Sequence, residues 1–360
     1  MDAWQELVEG YQEKNDPKVY SKLLHSAEVL VSDDLTTFEV EYLLSTLLYK
    51  PVNLLQTVRD KRTSEEWDKC ITDSLKLLSE LVSRYDNTDI YFEDIVSLCL
   101  LHFDAKTRQL ALTCLTNIVR KSVVGTRDYN RHINALEETN TCKAPLALLV
   151  GTICEHHPDV VSEDVNRIWR VFLNLLDCNK HTVSVKKAVL QGILSLFKHY
   201  GVELTTIELD CFYDKLVMFS KTSRYEDVCL SIFQNFSHLF RERISKDLPT
   251  RKYIWSLIHN NGCREAIIAV YTAVANTVSE NKIQDIITEL QEHTKSKRYQ
   301  ERFAALHALT CVHAVWGSGD LNEYVDIHMV EFEIRNGNVN YEICEANRCD
   351  LKLDETEMRH

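Results

Sequence analysis

Six segments of this 360-residue chain carry the same helical pattern at nearly even intervals. In the clearest of them, residues 103–122 (FDAKTRQLALTCLTNIVRKS), apolar or small residues fall at Leu110, Ala111, Cys114, Leu115, Ile118 and Val119. That is the i, i+3, i+4, i+7 spacing of one wide helical stripe. With Thr107 as origin, apolar or small residues follow four and eight positions later, at Ala111 and Leu115. The same holds from Pro145 (Leu149, Ile153), Val185 (Val189, Ile193), Val228 (Ile232, Phe236), Cys263 (Ile267, Tyr271) and Glu301 (Ala305, Leu309). Successive origins lie 38, 40, 43, 35 and 38 residues apart. Any amphipathic helix yields one such match, so the information is in the interval. A helix pair of this length cannot enclose a core alone, and each must bury its stripe against the next.

Asp104 stands just before the first run, where a carboxylate can cap free backbone N–H groups, and Arg108 follows one turn later. This arrangement resembles the second helix of a HEAT repeat, in which an aspartate precedes a Val-Arg-x-x-Ala-type run. The resemblance is one of repeat class and covers residues 64–316. It implies an all-α fold, an α-solenoid of antiparallel helix pairs in a HEAT/ARM-like superhelix. Composition agrees, because nine Gly and five Pro leave little to interrupt helices in a chain longer than one ordinary core.

Four regions are expected. Residues 1–63 form an irregular N-terminal helical cap, since a terminal repeat must present a polar outer face. Residues 64–316 form the repeat array, with Tyr91–His102 and the 103–122 helix as its first clear antiparallel pair. Its register fails at 125–143, a polar stretch where a first helix would be placed, read as an enlarged inter-repeat loop carrying a short helix, with a partner-binding insertion as the alternative. After Gly317 the period changes to alternation, and Asn336-Gly337 between two alternating runs predicts a C-terminal β-hairpin over 317–345. An acidic disordered tail, 346–360, follows.

Composition also narrows function. No run approaches the length of a membrane-spanning helix, so no membrane insertion is expected. The N-terminus lacks a basic stretch followed by an apolar core, which predicts a cytoplasmic and/or nuclear protein. The net charge is −13, and residues 317–360 contribute eleven acids against four basic residues. A nucleic-acid footprint needs a clustered basic face, so direct nucleic-acid binding is not expected, and a nucleic-acid-associated solenoid stands as an alternative only.

Twelve cysteines occur without a loop-rich framework. Cys99, Cys114, Cys154, Cys211, Cys229 and Cys311 fall in helical stripes and read as reduced core thiols. No phosphate loop, HExxH, GxSxG or CxxC motif is present, so no catalytic residue and no cofactor are assigned. Two groups support an alternative metal-dependent or cysteine-based activity: Cys154 with His156 and His157 (Asp159 nearby), and Cys311 with His313, Cys344 and Cys349. The leading expectation is a non-enzymatic scaffold or adaptor for one or more partner proteins. Its candidate binding residues are Arg108, Lys186, Lys187, Arg264 and Arg302, a basic set near the register origins, and Phe332, Ile334 and Tyr341 of the hairpin. Among proteins of the resembled class, such basic positions often form ladders with aspartates of neighbouring repeats.

Overall fold

The computed structural model of the chain describes residues 16–31, 35–45, 65–85, 104–138, 141–260 and 262–316. These residues are helical or in turns, with no strand among them. The hairpin at 317–345, the tail at 346–360 and the helix read at Tyr91–His102 lie outside the described residues. The chain divides into two compact units, Met1–Cys229 and Leu230–His360.

In the first unit, α1 (Pro17–Val31) is followed by a helical stretch at 37–45, then α2 (Glu65–Arg84), α3 (Ala105–Lys121), α4 (Tyr129–Glu138) and α5 (Lys143–His156). Next come α6 (Val165–Asp177), α7 (Val183–Tyr200) and α8 (Thr206–Ser220). α9 (Glu226–Phe236) begins in this unit and ends in the other. The starts have local causes. Asp104 Oδ2 accepts the Thr107 N–H at 2.8 Å ahead of α3, as the sequence led us to expect. Thr205 and Glu208 close a reciprocal capping box ahead of α8.

The register origins 107, 145 and 185 fall in α3, α5 and α7, and every residue four and eight positions beyond all six origins is buried. α5 packs against α3 on one side and α7 on the other. Its contact with α7 is closest at Gly151 and Gly192, where a Cβ placed on Gly151 would stand 2.6 Å from the Gly192 Cα. Trp169, Phe197 and Phe212 form a triangle with centroid separations of 5.5 to 5.7 Å, joining α6, α7 and α8. Trp169 is fully buried, and truncating such a residue costs about 3–5 kcal/mol.

The structure extends the sequence reading at two places and corrects it at the cysteines. The 65–84 helix packs on α1: Tyr20 Oη and Ser74 Oγ lie 2.9 Å apart in the core, and the Cys70 thiol donates to the Pro17 carbonyl at 3.5 Å. Asn117 Nδ2 in α3 reaches Ser79 Oγ in α2 at 3.4 Å, so α2 precedes α3 in the series. The 125–143 stretch contains the short helix expected there, α4, which buries His132, Ile133 and Leu136 and packs on α5. Cys211, read as a core thiol, is exposed, and Cys311 is only half-buried.

The second unit contains α10 (Arg241–Lys246), α11 (Leu248–Ser256), α12 (Cys263–Ala275), α13 (Glu280–Thr294) and α14 (Tyr299–Trp316). α12 packs against α14 and against α10 and α11, and α13 packs against α14. Asp247 caps α11 through the Thr250 N–H at 3.1 Å. Trp316 at the end of α14 donates its indole N–H to the Ala275 carbonyl at 2.8 Å.

Candidate partner-binding surface

Consecutive repeats of the first unit are tied by side chains that reach one period along the sequence. Lys121 Nζ donates to the Tyr85 carbonyl at 2.8 Å, and His157 Nε2 lies 2.6 Å from the Val119 carbonyl. Glu155 at the end of α5 accepts from Ser195 Oγ at 2.7 Å and from Lys198 Nζ, both on α7. Tyr200 donates to the Pro158 carbonyl, and Lys187 Nζ meets Asp227 Oδ2 at 2.5 Å. Burial alone would raise the Glu155 carboxyl, but the Lys198 and Ser195 hydrogen bonds bring it below the usual range. Asp227 is lowered in the same way against its burial by Lys187. These pairs are half-exposed, so each contributes about 1 kcal/mol or less.

The basic residues singled out from sequence do not share one role. Arg108 is half-buried in α3. Lys186 stands 5.5 Å from the centre of the Phe219 ring, whereas its neighbour Lys187 is the one that reaches an aspartate of the next repeat. In the second unit, Arg264 pairs with the adjacent Glu265 and lies 5.2 Å over Phe303, and Arg302 Nη1 donates to the Ser296 carbonyl at 2.8 Å. Phe332, Ile334 and Tyr341 lie outside the described residues.

The Cys154–His156–His157 group does not converge, and half of the Cys311 group lies outside the described residues. Cys154 is buried while His156 is exposed, and His157 is engaged by the Val119 carbonyl. Cys311 and His313 are in α14, and Cys344 and Cys349 lie outside the described residues. Among the described residues no three His, Cys, Asp or Glu side chains converge to hold a metal ion. Burial pushes the thiols of Cys114, Cys154 and Cys263 up to about 12 and that of Cys70 to about 11, which keeps them protonated and poorly nucleophilic at neutral pH.

The second unit holds an open groove of about 1020 Å³ between α10–α11 and one face of α13. At its floor, Arg251 and Glu289 form a buried pair, with Arg251 Nη2 to Glu289 Oε2 at 3.0 Å and Nη1 to the Ile244 carbonyl at 2.7 Å. Tyr271 donates to Glu289 Oε1 at 2.5 Å and receives the Trp255 indole N–H at 2.9 Å. Burial, then the Glu289 charge, raises the Tyr271 phenol. Trp255 stacks on His293 at 3.9 Å, and His293 Nδ1 meets Glu301 Oε1 at 2.7 Å. Sequence reasoning missed this network, although Arg251 and Glu289 are 38 residues apart, the same interval as the register. Along the walls, Glu242, Lys246, Lys252, Lys282, Asp285 and Glu292 form no salt bridge with any described residue.

The fold is that of the HEAT- and armadillo-type helical-repeat proteins, an all-α solenoid class. No protein-family profile matches the chain, and neither does any curated protein sequence. Among solved structures it is similar to importin beta crystallised in a polyethylene glycol condition, with a TM-score of 0.65 and 13% identity over 93% of this chain and 46% of that one. It is also similar to Kap121p bound to RanGTP (TM-score 0.55, 11% identity, 90% and 35% covered) and to an engineered protein (TM-score 0.54, 15% identity, 85% and 77% covered). At these identities the likeness is one of fold. The chain spans less than half the length of the importin beta and Kap121p chains. No helix among the described residues is long and apolar enough to cross a membrane.

Proposed function

We propose that this chain is a non-enzymatic scaffold or adaptor, located in the cytoplasm and/or nucleus, that holds a partner polypeptide on its helical-repeat surface. It would act as a subunit or assembly factor of a larger complex. The observation that carries this reading is the groove of the second unit. Six charged side chains of both signs line it without pairing to one another, and they offer oriented charges to a polypeptide segment of mixed charge. The buried, protonated thiols favour no thiol chemistry. Kap121p, a chain of similar fold, is bound to RanGTP in its own structure; that supports protein binding in general and identifies no partner here.

The test is purification of the tagged full chain from its own cells, with amine-reactive cross-linking and mass spectrometry. A partner protein is expected in fixed ratio, cross-linked through Lys246, Lys252 or Lys282, and lost from the K246E/K252E/K282E variant. Elution of the chain alone, or a partner retained undiminished by the triple variant, overturns the assignment to this groove.

A further inference from the structure

α8 is the first helix of its pair, and it is apolar on two opposite faces. Phe212, Tyr213, Leu216 and Phe219 are buried toward the unit. On the outside, Ile207 is 77% and Met218 57% exposed, and Cys211 is exposed between them. At about 100° per residue, Ile207, Cys211, Asp214 and Met218 fall within roughly 60° of arc, one stripe along the whole helix. Val202, 78% exposed, stands in the turn just before it. The preceding first helix, α6, shows what is ordinary here: its exposed positions are Asn166, Arg170, Asn174 and Asp177. An outer face carrying this much apolar surface is a face that awaits burial.

The charges at its ends indicate what covers it. Glu203 lies before the helix, and Lys221 and Arg224 lie after it; all three are exposed and none forms a salt bridge with a described residue. We infer that the α8 stripe is a homodimer interface in which a second copy of this chain docks its own α8 antiparallel across a two-fold axis. Antiparallel alignment about the middle of the stripe sets Ile207 against the second copy's Met218, and Glu203 against the turn holding its Lys221 and Arg224. Asp214 then faces a thiol, the second copy's Cys211, and not another carboxylate. A two-fold axis makes every such pairing occur twice, so one helix with acid at its start and base beyond its end is complementary to itself.

One helix and its flanking turns bury less than the standard interface of about 1,600 Å², so association in the micromolar range is expected. Sedimentation of the full chain is therefore expected to show monomer near ~1 µM and mainly dimer near ~100 µM. Ile207→Asp and Met218→Asp are each expected to weaken dimerisation at least ~10-fold, with helical content unchanged. Lys221→Glu is expected to weaken it by ~5–10-fold, and the double variant Glu203→Lys/Lys221→Glu to restore it to within ~3-fold. Paired helices lie about 8–10 Å apart, and the two Cys211 are offset along the axis by about three residues, or about 4.5 Å. A short bismaleimide should therefore join the copies through Cys211. A chain that stays monomeric at ~100 µM, a dimer indifferent to Ile207→Asp, or a dimer cross-linked by peptide mapping anywhere but Cys211 overturns the inference.

Discussion

Replacing Gly151 by alanine sets two effects of opposite sign against each other. In an isolated helix interior the exchange stabilises by about 1 kcal/mol, because glycine gives up more backbone freedom. Here the new methyl would stand 2.6 Å from the Gly192 Cα, and reaching ordinary contact requires α5 and α7 to part by roughly 1 Å. The obstacle is backbone, so no rotamer relieves it. α5 is also enclosed by α3, so the shift is felt on both of its flanks. Overpacking of this kind costs about 1–3 kcal/mol, which leaves a net loss near 1 kcal/mol and lowers the melting temperature by about 2–4 °C for a unit of this size. Gly192→Ala should also destabilise, since its methyl would meet Phe172 Cζ at 2.8 Å and the Ala147 carbonyl oxygen at 3.1 Å. Calorimetry or thermal circular dichroism on the full chain measures both. A Gly151→Ala variant that melts higher than the parent would refute the close approach of these helices.

The buried His132, fully enclosed and with neither ring nitrogen hydrogen-bonded, has its imidazole pushed down to about 4 by burial. Its contribution to stability is present in full above the unfolded value near 6.5 and is lost as pH falls from there to about 4, reaching about 3 kcal/mol; urea titrations at several pH values should show that loss, and His132→Leu should remove it. Arg251→Met leaves Glu289 buried without its cation and should cost about 3–5 kcal/mol, with much of that recovered in the Arg251→Met/Glu289→Gln double variant, as denaturant midpoints will show. In native protein, maleimide should label Cys211 rapidly, while Cys114 and Cys154 react only upon unfolding; peptide mass spectrometry reads each site, and prompt labelling of Cys114 would contradict its burial.

The register was legible because each second helix needs apolar side chains at fixed positions, and a stripe repeated at a fixed interval survives any choice of loop. α4 was legible only as a short helix off the register, for the converse reason. Only His132, Ile133 and Leu136 of its ten residues are buried, too few to stand out against Arg131, Asn134, Glu137 and Glu138. The Gly151–Gly192 contact left no trace either, since a glycine that allows close approach looks in sequence like one that merely weakens a helix. Among charged residues, Arg251 and Glu289 carry little signal in the sequence, because the register marks second helices, whereas this buried pair joins first helices. The outer stripe of α8 lay in plain view as Ile207, Cys211 and Met218, but an apolar spacing does not reveal which of two faces meets the core.

The ties of the first unit, such as Asn117 to Ser79, Glu155 to Ser195 and Lys187 to Asp227, span 38 to 40 residues. A chain held together this way has a natural quantum of length. Gain or loss of one whole repeat would keep the helices in register, although each junction carries its own pair of tying side chains. Deletion of a single residue inside α5 would turn everything beyond it by about 100° about the helix axis. The Glu155 carboxylate would then swing away from Ser195 and Lys198, and the array would be severed at a point where no peptide bond had been cut.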